Sequence, residues 1–135
     1  MHPDEVAQAV DEFVAHVNAG ELDAAMQHYE ADAVFAPEPG TLVEGAPAIR
    51  AALAQLIASR AVVRTQGRTV MRSRDLALYQ STWALLVGGA AVQEAQSSDV
   101  LRRGGDGRWR IAIDNPWGAA HLFAMGEHRG KAGSP

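Results

Sequence analysis

The sequence predicts an α+β domain, with helices packed on one face of a curved, mostly antiparallel sheet. Two observations predict it. Apolar residues recur at helical spacing in three segments before residue 60, and the pattern then changes to alternation in four further segments divided by turn residues. The helical segments also come as a block ahead of most of the strands, the order of an α+β domain rather than of repeated βαβ units. A chain of 135 residues is one domain, long enough for a substantial core.

Residues 3–18 open the chain as a helix. Val6, Val10, Phe13, Val14 and Val17 fall on one stripe. Pro3-Asp4-Glu5 suits a first turn, where a missing N–H costs nothing and acidic groups meet the positive helix end. Asn18-Ala19-Gly20 stops it. Residues 21–30 read as a shorter helix, with Leu22, Ala25, Met26 and Tyr29 facing inward. A short strand over 32–36 ends at Pro37 and Pro39, and 40–45 reads as a loop. Pro47 opens a third helix, ending near residue 60, whose core face is Ile49, Leu53, Leu56 and Ile57.

Four strands follow in a meander. In 62–72, Val63, Thr65, Gly67, Thr69 and Met71 share one face. In 76–87, Tyr79, Ser81, Trp83 and Leu85 share one, and Gly88-Gly89 turns the chain. In 92–103, Gln93, Ala95, Ser97, Asp99 and Leu101 are in phase; in 108–117, Trp109, Ile111, Ile113, Asn115 and Trp117 are. The order is therefore helix, helix, strand, helix, then four strands. The domain is expected over residues 1–118, with a Gly-rich, partly mobile tail over 119–135 in which Leu122-Phe123 packs back.

Charge and composition exclude several functions. A formal net charge of −4 argues against nucleic acid, which needs a basic face. With no cysteine there is no thiolate nucleophile, disulfide framework or Cys-based zinc site. His2, His16, His28, His121 and His128 show no metal-ligand spacing, so no metal is expected. GxSxG, P-loop and GxGxxG patterns are absent, so neither covalent serine chemistry nor nucleotide binding is supported. No run approaches a membrane span and the first residues lack an apolar leader, giving an expectation of a cytoplasmic protein with no membrane partner.

A bent sheet closed by helices encloses a cone-shaped cavity, a ready small-molecule site. The last two strands, joined through Gly104-Gly105-Asp106-Gly107, carry two carboxylates, Asp99 and Asp114. Strand phase sends Asp99 inward among Trp83, Ile113 and Trp117, where lost solvation raises its pKa. One position of slip would make it a rim residue paired with Arg102 or Arg110. The same phase sends Asp114 to the convex side, against Arg64, Arg68 or Arg72. Asn115 points to the cavity, to orient a ligand or to tie the strand end before Pro116. Tyr29, Tyr79 and Ser81 are polar points in an apolar cavity. Trp83 and Trp117 are walls. His16 borders the first helix's core stripe. Glu38 and Glu44 sit at the mouth, as general bases or as solvated loop residues. The outer sheet face, with Arg64, Gln66, Arg68, Gln80, Thr82, Gln96, Leu78 and Leu86, is neither plainly solvated nor plainly core. A homodimer through that face is expected, with a monomer as the alternative.

Residues 13–23 (Phe13-Val14-Ala15-His16-Val17-Asn18-Ala19-Gly20-Glu21-Leu22-Asp23), then Tyr29-Glu30-Ala31-Asp32-Ala33-Val34, then Glu44-Gly45-Ala46-Pro47-Ala48-Ile49-Arg50, resemble the NTF2-like superfamily. Within it the chain is similar to the branch of ketosteroid isomerase and SnoaL-type cyclases, over residues 5–118. The resemblance implies three helices on a conical sheet, no metal and no cofactor. By the resemblance Asp99 matches a protonated aspartate and Tyr29 a second pocket tyrosine. The first-helix tyrosine of ketosteroid isomerase falls at Phe13, and its catalytic base at Pro37, beside Glu38. The expected function is cofactor-independent acid/base chemistry (isomerisation, cyclisation or dehydration) on a small apolar or polycyclic substrate. Asp99 and Glu38 would be catalytic; Tyr29, Asn115, Trp83, Trp117, Ser81, Tyr79, Phe13 and His16 would hold the substrate. A non-catalytic small-ligand binder, or a dimerisation module with a filled cavity, are the alternatives on the same fold.

Overall fold

The computed structural model describes residues 4–122 and 124, and its element order is α1 (Glu5–Asn18), α2 (Leu22–Met26), β1 (Tyr29–Glu38), β2 (Thr41–Glu44), α3 (Ala46–Ala58), β3 (Val62–Ser73), β4 (Leu76–Val87), β5 (Ala90–Arg103) and β6 (Trp109–Asp114). His2, Phe123, His128 and the tail from 125 lie outside the described residues. The six strands form one sheet in the order β2-β1-β6-β5-β4-β3. Every pairing is antiparallel except β1 with β6. The architecture is α+β, as the change of period implied. No described helix is long and apolar enough to cross a membrane.

Helix α1 begins where Asp4 caps it, its carboxylate accepting from the N–H groups of Val6 and Ala7 at 2.8 and 3.3 Å. Val6, Val10 and Val17 of α1 and Ile49 and Leu53 of α3 bury against Tyr79, Leu101 and Ile111 of the sheet. Asn18 fixes the far end of α1 to β3 through two 2.9 Å bonds with the backbone of Val63.

The structure corrects two element assignments. The second helix stops at Met26, and Tyr29 and Glu30 belong to β1. Tyr29 satisfied a helical spacing, but pairing with β6 decides the matter: the Ile111 N–H donates to the His28 carbonyl at 2.7 Å, and Tyr29 registers with Ile111. The expected loop over 40–45 contains strand β2, folded back on β1 at Gly40, whose φ of 87° suits the turn. Pro37 does not end β1; it occupies a break in the β1–β2 register between Phe35 and Glu38, where no ladder bond is required of it.

Bulges correct the strand phases. On β3, Thr65 pairs with Trp83 but Gly67 with Thr82, which leaves Gln66 as an extra residue. Beyond it the faces exchange, so Val70 packs on the core and Met71, expected inside with Val63, is 65% exposed. On β6, Ile111 pairs with Leu101 and Ile113 with Val100, so Ala112 is the extra residue. Ile113 is turned out, 46% exposed, and Asp114 is turned in, 9% exposed. The strand ends at Asp114, and 115–118 is a turn rather than its continuation.

Candidate functional site

Between the helices and the sheet lies a cavity of about 360 Å³. Val10, Phe13, Val14 and Val17 of α1 form one wall, and Leu53 and Leu56 of α3 another. Trp83 and Trp117 meet edge to face with ring centres 5.2 Å apart. Both indole N–H groups are committed to backbone, Trp83 to the Pro116 carbonyl at 2.6 Å and Trp117 to the Ala36 carbonyl at 3.0 Å. The pair therefore presents apolar ring surface to the cavity and ties the 115–118 turn to β1 and β4.

One polar line crosses the floor. The Tyr29 hydroxyl donates to the Asp114 carboxylate. Asp114 and Asp99 are hydrogen-bonded to each other. Asp99 Oδ1 accepts the Asn115 backbone N–H at 2.8 Å, and on the same strand Ser97 Oγ lies 2.6 Å from that of Ser81. Burial raises the pKa of both carboxyls, that of Asp99 well above the usual range, and the Asp114 charge pushes Asp99 up further. Hydrogen bonds from Tyr29 and Asp99 oppose the shift at Asp114. Burial thus favours a proton on the pair as a unit, and the stronger upward push falls on Asp99. Tyr29 stays a neutral donor, because burial and the Asp114 charge both raise its pKa well above 10.0.

The expected site residues do not all converge here. Asp99, Ser81, Tyr79, Trp83, Trp117 and Phe13 border the cavity, and Glu38 stands exposed at its rim. Tyr29 lies behind Asp114 and reaches the site through it. Asn115 does not border the cavity: its side chain is used within its own turn, with Nδ2 donating to Gly118 O at 3.2 Å and Oδ1 accepting from the N–H groups of Trp117 and Gly118. His16 is also outside, with Nδ1 3.1 Å from the Glu21 carboxylate and its ring 5.5 Å from that of His28. Arg102 and Arg110 are paired with Glu30 and Asp106, not with Asp99. Asp114, assigned to the convex side, faces the cavity instead, and Arg68 pairs with Asp11 rather than with it. The bulge at Ala112 is the cause. A strict period of two carries no mark of one inserted residue; the only hint was a carboxylate directly before Asn115-Pro116, where the strand ends. Among the described residues no group of three or more His, Asp or Glu is placed to hold a metal ion.

The SnoaL-like domain model matches residues 10–112. The chain belongs to the SnoaL-like family. Solved structures place this SnoaL-like domain within the NTF2-like fold. A protein of unknown function from Mycobacterium tuberculosis superposes with a TM-score of 0.72 at 20% identity, over 82% of this chain and 67% of that one. A candidate dehydratase of the NTF2-like family from Streptomyces avermitilis gives 0.71 at 19%, over 82% and 90%. A candidate scytalone dehydratase from Novosphingobium aromaticivorans gives 0.69 at 12%, over 82% and 78%. At these identities the likeness speaks for the fold. Among curated proteins none matches the sequence.

Proposed function

We propose that this SnoaL-like domain is an acid/base enzyme that moves a proton on a small, neutral, largely apolar substrate by isomerisation, cyclisation or dehydration. One observation carries the reading: two buried carboxyls, Asp99 and Asp114, adjoin on the floor of an apolar cavity, with a tyrosine hydroxyl bonded behind them. A buried Asp has a large solvation cost, and a cavity floor is where a retained acid is useful. Asp99 donates its proton to a substrate oxygen while a base removes one from carbon. Asp114, whose charge is steadied by Tyr29, is the base nearest to hand, and Glu38 at the rim is the second. In isomerisation the base delivers its proton to a second carbon while the oxygen returns its proton to Asp99. In cyclisation or dehydration, where the Asp99 proton stays on the product oxygen or leaves as water, the proton taken by Asp114 passes to Asp99 across the pair and restores the starting state. The dehydratase names of two structural neighbours agree in kind.

The test is deuterium exchange. A panel of small cyclic ketones in D2O is followed by proton NMR for loss of the signals next to the carbonyl. Exchange above the buffer rate, lost in Asp99→Asn, is the expected result. Ketones that bind without exchanging would leave the second reading, a non-catalytic binder. That reading draws its support from Phe13 and Pro37, which bring neither a hydroxyl nor a carboxylate to the cavity.

The same proposal includes a homodimer through the outer sheet face. Met71, Leu78, Val100, Ile113 and Val34 are successive register partners, an apolar row across five strands. At ~4.8 Å between strands the row is about 19 Å long. A second copy related by a two-fold axis lays row on row, which buries in both copies what one leaves to water. Ile113→Glu places charge in the row without touching the core. Sedimentation velocity should show a dimer for the wild type and a monomer for the variant; a wild-type monomer would dispose of the interface.

A further inference from the structure

We propose that Tyr79 is the ligand anchor of the cavity: its hydroxyl donates a hydrogen bond to an acceptor oxygen, a carbonyl above all, on a neutral cyclic ligand seated against Trp83 and Trp117. The inference rests on the cavity being a ligand site, as the proposed function has it, but not on chemistry taking place there.

Tyr79 is 1% exposed, yet its hydroxyl has no acceptor among the described residues; the group that approaches it is the Arg68 guanidinium, which is itself paired with Asp11 and can only donate. The hydroxyl of Tyr29 is paired with Asp114, and those of Ser81 and Ser97 with each other. A buried, unpaired hydroxyl weakens a fold, and phenylalanine would fill the same space without that cost. The hydroxyl is therefore better explained by a partner that arrives with the ligand. Its position fits. Tyr79 is the register partner of Asp99 across β4 and β5, and both border the cavity. An oxygen bonded to Tyr79 is thereby brought beside the acid pair. Burial also raises the Tyr79 pKa, against the opposing effect of Arg68, so the group is a donor at neutral pH.

The surroundings define the class of ligand. The Asp114 carboxylate lies on the same floor, which disfavours an anion. The walls are aliphatic and aromatic, and the Trp83–Trp117 pair offers ring surface. A neutral ring compound with one acceptor oxygen satisfies the Tyr79 hydroxyl, the one buried side-chain group left without a partner among the described residues, and leaves no charge stranded.

A matched pair of probes tests this: 1-tetralone and tetralin, which differ by the carbonyl oxygen. Binding is read from the indole N–H signals of Trp83 and Trp117 in nitrogen-15 spectra. The wild type should bind the ketone roughly 5–10-fold more tightly than the hydrocarbon. In Tyr79→Phe the ratio should fall close to one, with tetralin affinity unchanged. A ratio that survives in Tyr79→Phe, a wild type without preference, or indole signals that move with neither probe overturns the anchor. Thermal melting guards the interpretation: Tyr79→Phe should melt at or above the wild type, and a clearly lower midpoint would mean that the hydroxyl has a structural partner, which also overturns it. Asp99→Asn separates this claim from the chemistry. Ketone preference retained there, with no exchange in the wild type, removes the proton-transfer reading and leaves the anchor standing.

Discussion

Asp99→Asn is expected to lower turnover by roughly 10²–10⁴-fold, the usual contribution of a positioned general acid, while the protein remains folded. The substitution preserves the hydrogen bonds. The carboxamide oxygen can accept the Asn115 N–H, now 2.8 Å from Asp99 Oδ1, and the amide N–H can donate to Asp114 in place of the acid proton. What is lost is the transferable proton. Asp114→Asn makes the complementary prediction. It removes the nearer base, so turnover should fall; it also removes one of the forces holding the Asp99 pKa up, so in the activity that Glu38 sustains the basic limb of the pH–rate profile should move to lower pH. A full-rate Asp99→Asn variant would remove this mechanism.

The same pair sets the pH dependence of stability. The pKa of Asp99 is raised above its unfolded value by burial first and by Asp114 second. Between the two values the folded state binds more protons than the unfolded chain, so stability falls as pH rises through the folded pKa. The contribution is fully present below the unfolded value. Asp99→Asn cannot ionise, so its melting temperature should vary less with pH across that window and exceed the wild type's at the alkaline end. Differential scanning calorimetry across pH checks both. Equal slopes for the two proteins would mean that the pair does not couple to folding.

The fold was legible because periodicity records which face is buried. Val6, Val10 and Val17 in α1, Ile49 and Leu53 in α3, and Tyr79, Ser81 and Trp83 in β4 all follow it. What periodicity does not record is an inserted residue. Gln66 and Ala112 each add one position to a strand, and beyond each the faces exchange. That is why Met71 was sought inside and found outside, and Asp114 the reverse. β5 between Ser97 and Leu101 has no such insertion before its register shift, so Asp99 fell where alternation placed it. Half of the acid pair was therefore readable and half was not. Tyr29 escaped its element for another reason: its spacing suits a helix as well as a strand, and only the parallel pairing with β6, more than eighty residues away, selects between them. The unpaired state of Tyr79 is a property of its neighbours and has no trace in its own segment.

Gly118→Ala is expected to destabilise the fold by roughly 2–3 kcal/mol and to weaken ligand binding with it. Gly118 has a φ of 54°, in the left-handed region, and closes the turn that follows β6. A Cβ there would lie 2.6 Å from the backbone oxygen of Gln96, and backbone cannot swing aside as a flexible side chain does. Relief requires the turn to lift from β5. That turn holds Trp117 against the Ala36 carbonyl and places the Asn115 N–H on Asp99, while the Ser98 N–H donates to the Asn115 carbonyl at 2.8 Å. Lifting it loosens one wall of the cavity and the acid together. For a chain of this size the melting temperature should fall by roughly 8–15 °C. Gly105→Ala is the control: a Cβ there meets nothing within 4 Å, and no positive φ is required. It should stay within about 0.5 kcal/mol of the wild type. A Gly118→Ala protein as stable as that control would show that the turn does not need glycine, and that the contact between 115–118 and β5 is not what seats Asp99 and Trp117.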